Sequence, residues 1–196
     1  MKPKPFNYTE AVAGVTRDLV ATLDEFRHVD LDRVLIAANQ ARQASKHGVY
    51  ASLVPLRFAG GSPETVVRGR RYRMPPFQHE QREILYLLYV MLPRFHEEQD
   101  YHGRLATLIH ELYHISPRFD GDIRRFPGKN FAHGHSREVY HAAMCRLADR
   151  YLATSPRAHS HEFLRVPFKE LLAHPGGVVA RTVTKPRAVL IQEKPR

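Results

Sequence analysis

A chain of 196 residues can bury one hydrophobic core and is short for two, and 43% apolar with 26% charged residues excludes a disordered or fibrous chain. A formal net charge of +10 fits either solubility alone or attraction to polyanions, with nucleic acid among them. The single cysteine, Cys145, rules out a disulfide framework within these residues and a zinc site built from cysteines.

Residues 1–5 alternate Lys and Pro and read as a loose tail, as do residues from about 192 to 196, around a single domain spanning 1–196. The opening segment has no apolar stretch of the signal-peptide kind. The longest apolar run, Ile84 to Leu92, is too short to span a bilayer, so the expectation is a cytoplasmic protein with no membrane segment.

From about Thr9 to Phe26, Val12, Val15, Leu19, Leu23 and Phe26 recur at helical spacing. Val34 to Ala37 reads as a short buried strand, with a helix as the alternative. Val49 to Phe58 is strand-like, and Pro55 marks it as an edge or a bulge. A turn at Gly60 to Pro63 precedes a further strand over Val66 to Tyr72. Glu83 to Leu92 is the strongest strand by composition, although its Leu and Met content keeps a helix open; Pro93 ends it either way. Tyr101 to Ile115 reads as a helix with Asp100 as N-cap and Pro117 as its stop. Asp120-Gly121 signals a turn, which also accounts for Asp120 and Asp122 better than a role as oxygen ligands. Ser136 to Leu152 is a second helix, capped by Ser136, with Val139, Ala143, Leu147 and Tyr151 expected to face the core and Cys145 as a small buried filler. Val178 to Val183 and Ala188 to Ile191 are late strand candidates. The pattern as a whole predicts the α+β class.

His110-Glu111-Leu112-Tyr113-His114 is an H-E-x-x-H motif on a predicted helix. Residues four apart lie on one helical face, so the two imidazoles can converge on one Zn2+ ion. Glu111 stands next to the first of them, placed to act on water as the general base without binding metal. Three other His-Glu pairs, at His79, His96 and His161, lack a histidine four places after the first. Only the motif at His110 sits in an amphipathic helix, with Leu105, Leu108, Leu112 and Ile115 to anchor it.

A catalytic zinc needs a third protein ligand and an open position. The segment from His133 to Ser136 supplies two histidines. His135 is the preferred third ligand because it adjoins the predicted cap and lies four residues before Val139; His133 is the competitor. Tyr113, Tyr140 and Arg118 are the nearby donors for a developing oxyanion, with no basis in sequence for choosing among them.

The stretch from Leu108 to Arg125, followed by His133-Gly134-His135-Ser136, resembles a family of phage metallopeptidases, distantly similar to the SprT-like zincins. The resemblance is strongest over about residues 80–152. It implies a compact zincin-like domain, with a small mixed sheet packed against the H-E-x-x-H helix and flanking helices. It implies a zinc metallopeptidase acting on a protein or peptide substrate. It also implies that the strand at 83–92 lies along the cleft and takes substrate backbone by strand addition. Some relatives carry a cysteine-rich zinc ribbon, and this sequence has no cysteine after Cys145 to build one.

Arg68, Arg70, Arg71 and Arg73 form the densest positive cluster. Read as one strand, it is either a solvated edge that resists aggregation or a phosphate-binding patch, which would suit a protease acting on DNA-bound proteins. Two further alternatives stay open: a nucleic-acid-associated protein holding a structural zinc, and a zincin that binds peptides without cutting them.

Overall fold

The computed structural model describes residues 3–41, 48–97, 99–128, 131–133, 136–154 and 158–192. In chain order the elements are β1 (Phe6–Asn7), α1 (Tyr8–Thr22), β2 (Val34–Gln40), β3 (Ala51–Pro55), β4 (Glu64–Val67), β5 (Arg70–Arg73), β6 (Phe77–His79), β7 (Arg82–Ile84), β8 (Tyr86–Leu92), α2 (Arg94–Glu97), α3 (Tyr101–Tyr113), α4 (Arg137–Thr154), α5 (Phe168–Leu172), β9 (Val178–Val179) and β10 (Val189–Gln192). The class is α+β. Among the described residues no helix is long and apolar enough to cross a membrane.

Asn7 starts α1 by accepting the Glu10 N–H on its side chain at 3.2 Å. The apolar stripe then does what its spacing predicts: Val12, Val15, Leu19, Leu23 and Phe26 are all buried, the last by a short 3-10 turn over Asp24–Phe26. Residues 3 and 4 are exposed and run beside Gly176. Their backbone lies so close against Gly176 that a Cβ there would strike the Lys4 carbonyl, and Phe6 pairs with Val178.

The central sheet has the order β2-β8-β3, with β2 parallel and β3 antiparallel to β8. One face carries Ile36, Leu88 and Val90 toward the helices, and the other carries Leu35, Ala37, Val54, Leu87 and Tyr89 under Phe77 and Val183. Burial on both faces is why β8 reads as an unbroken apolar run, and it settles the strand-or-helix ambiguity there. Its position corrects an expectation, because β8 is bonded on both sides and has no free edge for an added strand. β3 is one of the two edge strands, as Pro55 indicates.

Two other segments differ from expectation. Residues 66–72 are not one strand. β4 and β5 form a hairpin closed by Arg68 and Gly69, with φ of 53° and 77°, the positive values a two-residue hairpin turn requires. The run from 83 is broken at Leu85, where β7 leaves to pair with β6. Of the late candidates, only Val178–Val179 and Val189–Gln192 form strands. Arg181 instead covers the β2 edge, its carbonyl accepting the Ala38 N–H at 2.8 Å.

Candidate metal centre

Helix α3 starts at Asp100, whose carboxylate accepts the Gly103 N–H at 2.7 Å. Leu105, Leu108, Ile109 and Leu112 are fully buried and fix the helix against the sheet and α4. His110 and His114 therefore project from a rigid face. His114 is the cap residue and keeps right-handed backbone angles (φ −69°, ψ −17°), so both rings lie on the same side one turn apart.

The chain then folds back on the helix end rather than running away from it. Ile115 bridges to Ile123, and the Arg124 N–H donates to the His114 carbonyl at 2.6 Å. Asp122 pins this return. Its carboxylate accepts from Arg125, from the Gly60 N–H and from the Ile123 N–H. Burial acts to raise its pKa, but those bonds outweigh burial and leave it below the usual value. Asp120 accepts the Asp122 N–H, so both aspartates serve the turn, as expected from the sequence.

The returning chain delivers His133. Its Nε2 lies 3.2 Å from His110 Nε2, which lies 2.9 Å from His114 Nε2. Three ligand atoms, one from each ring, fall within 4.8 Å of one another, and this group can hold a metal ion. Nitrogens bound tetrahedrally at the usual metal distances of about 2.0–2.1 Å stand roughly 3.4 Å apart, close to these spacings. Each neutral imidazole carries one N–H, so three Nε2 atoms facing one another are poorly served by hydrogen bonding alone. His114 Nδ1 is moreover buried without a partner among the described residues. Burial, aided by the neighbouring rings, lowers His110 to about 4 and His114 to about 3, keeping both in the neutral form that binds metal.

His135 lies outside the described residues. One argument for preferring it fails, because Val139 is 68% exposed. Helix α4 does begin at Ser136, whose Oγ accepts the Val139 N–H at 3.3 Å. Its buried side is Tyr140, Met144, Leu147, Ala148 and Tyr151, one position round from the expected phase. Leu147 and Tyr151 belong to both phases; the aromatic ring of Tyr140 decides between them by packing on the histidines. Cys145 is only half-buried.

Glu111 is 8% exposed, and its Oε2 accepts the Leu53 backbone N–H from β3 at 2.6 Å. Burial pushes its carboxyl up to about 7 against the opposing effect of that bond. Among the three donor candidates the geometry separates Tyr140. Its ring lies within 4.9–5.8 Å of all three histidine rings, and its hydroxyl is buried with no hydrogen-bond partner among the described residues. Arg118 is turned outward onto Asp120, and the Tyr113 ring lies under the Arg124 guanidinium. No sequence signal points to the Leu53 N–H, since a backbone donor has no residue type.

The arginine cluster stands on a separate sheet, β10-β5-β4. Arg71 and Arg73 both reach Glu64, Arg68 occupies the hairpin turn, and Arg70 is at its foot. Comparison with protein-family models, with curated proteins and with solved structures finds no match in any of the three.

Proposed function

We propose that the chain is a zinc-dependent metallopeptidase with a zincin-like arrangement, of the phage metallopeptidase kind its motif resembles. The observation that carries this reading is the convergence of His110, His114 and His133 on one point, with the Glu111 carboxylate on the adjoining position of the same helix. A structural metal has no use for a carboxylate there, whereas hydrolysis does.

His110, His114 and His133 would hold the ion, and three neutral ligands leave its double charge uncompensated. When bound, zinc supplies Lewis acidity, bringing the pKa of coordinated water toward about 7. Glu111 takes a proton from water as the oxygen adds to the scissile carbonyl, and returns it to the amine as the carbon–nitrogen bond breaks. The Leu53 N–H holds the carboxylate in place during both transfers. We assign the orphaned Tyr140 hydroxyl as a donor to the carbonyl oxygen as charge develops there. Strand addition, ruled out at β8, falls to β3, which is bonded to β8 on one side and presents Leu53 beside Glu111.

Metal analysis and peptide cleavage, measured together on the parent and on Glu111→Gln, test the reading. Undiminished cleavage by that variant removes Glu111 as the base, and a parent protein that takes up no zinc removes the whole proposal.

A further inference from the structure

Beside the histidines a cavity of about 340 Å3 opens between the end of α3, the chain that follows it and the start of α4. Tyr113, Phe126, Pro127, Val139, Ala143 and Met144 form its apolar walls, while His133 and Tyr140 belong both to it and to the metal centre. We propose that this cavity receives a large apolar side chain of the substrate, of leucine, methionine or phenylalanine size, from a residue flanking the scissile bond. The proposal rests on the metallopeptidase reading and names the substrate class for it.

Three observations support an apolar occupant. The walls contain no Asp, Glu, Lys or Arg among the described residues. The one hydroxyl of a small side chain there, Ser136 Oγ, accepts the Val139 N–H at the start of α4. A charged side chain entering would lose its water and meet no opposite charge among the described lining residues. The volume lies at the small end for ligand pockets, enough for one bulky side chain and its flanking backbone. Position supplies the rest. Because His133 and Tyr140 form the common wall, a peptide lying over the histidines passes the mouth of the cavity. Val139, apolar and 68% exposed, serves no core and would be covered by that occupant. The Phe126 N–H donates to the Phe131 carbonyl at 2.8 Å, which ties the backbone at that wall.

The test uses two dipeptide hydroxamates, one with an isobutyl and one with a methyl side chain, titrated calorimetrically into the zinc-loaded full chain. The matching dipeptide amides, which lack the chelating group, are titrated into the metal-free chain by NMR. The isobutyl probe is expected to bind roughly 10- to 100-fold tighter than the methyl probe, with the same order among the amides. Ala143→Phe fills the cavity and should reduce that preference below about threefold. Val139→Asp, at an exposed position, should do the same by placing a charge at the mouth, and covers the case in which the larger substitution misfolds. Equal binding of the two probes by the parent, or a preference that survives both substitutions, overturns the proposal. The two readings fail separately. A zinc-bound protein that keeps the isobutyl preference but cuts no peptide loses the peptidase and keeps the pocket. One that cuts peptides with no apolar preference at either flanking position loses the pocket alone.

Discussion

The backbone N–H of Leu53 donates to Glu111 Oε2 across 2.6 Å, joining an edge strand of the sheet to the helix that carries the histidines. The two residues are 58 apart in sequence, and the bond is the only one the Glu111 side chain makes among the described residues. It sets the direction of a buried carboxylate and places it at the strand beside which a substrate backbone would run.

Glu111→Gln should keep zinc and lower hydrolysis by about 10²–10⁴-fold, the usual contribution of a general base. Its stability carries a second signature. In the metal-free protein burial raises the Glu111 carboxyl from 4.5 to about 7. A raised pKa in the folded state gives stability that is fully present below 4.5 and lost as pH rises through about 7. The glutamine has no charge to bury, so the variant should gain on the parent between pH 4.5 and pH 8. Urea unfolding at the two values checks this; identical pH dependence in the two proteins would show that Glu111 is not desolvated.

His133→Ala should weaken zinc binding as severely as His110→Ala or His114→Ala. Each loss should exceed the roughly 10–100-fold typical of residues that only support a ligand. His135→Ala should change affinity by a few-fold at most. Competition with a chromophoric chelator measures all four, and a large loss confined to His135→Ala would reverse the assignment of the third ligand.

His96 should make the protein acid-sensitive independently of the metal. Its Nδ1 lies 2.9 Å from the Val166 carbonyl, which only accepts, so Nδ1 carries the proton and Nε2 accepts the Tyr8 hydroxyl at 2.9 Å. Burial lowers it to about 4; the Val166 bond opposes this and the Arg104 charge assists it. The corresponding stability is complete above about 6.5 and disappears as pH falls through about 4. His96→Gln should flatten that slope in denaturant titrations between pH 7 and pH 4. Tyr8→Phe leaves Nε2 without its donor and should cost about 1–3 kcal/mol at pH 7.

Helix α4 provides a test of packing. Met144 is 2% exposed and Val139 is 68% exposed. Met144→Ala should cost about 2–5 kcal/mol. Val139→Ser should stay within about 0.5 kcal/mol, as exposed positions do. Thermal unfolding of both variants discriminates, and the opposite ranking would restore the helix phase that sequence periodicity suggests.

Local order was legible in the sequence, and it reached the first half of the site. The spacing of Val12, Val15 and Leu19 places α1, the caps Asp100 and Ser136 place the starts of α3 and α4, and the four-residue step from His110 to His114 suffices to put two rings on one helical face. Each depends on neighbours within a turn or two, where backbone geometry alone sets the outcome. The third histidine, the Leu53 donor, the Tyr140 contact and the central place of β8 were decided only in three dimensions. His133 reaches His110 because Asp122 folds the chain back on the helix end, and β8 is central because β2 and β3 arrive from separate parts of the chain to pair with it. Such pairings turn on which buried surfaces and backbone groups satisfy one another across long loops, and residue spacing carries no record of that competition.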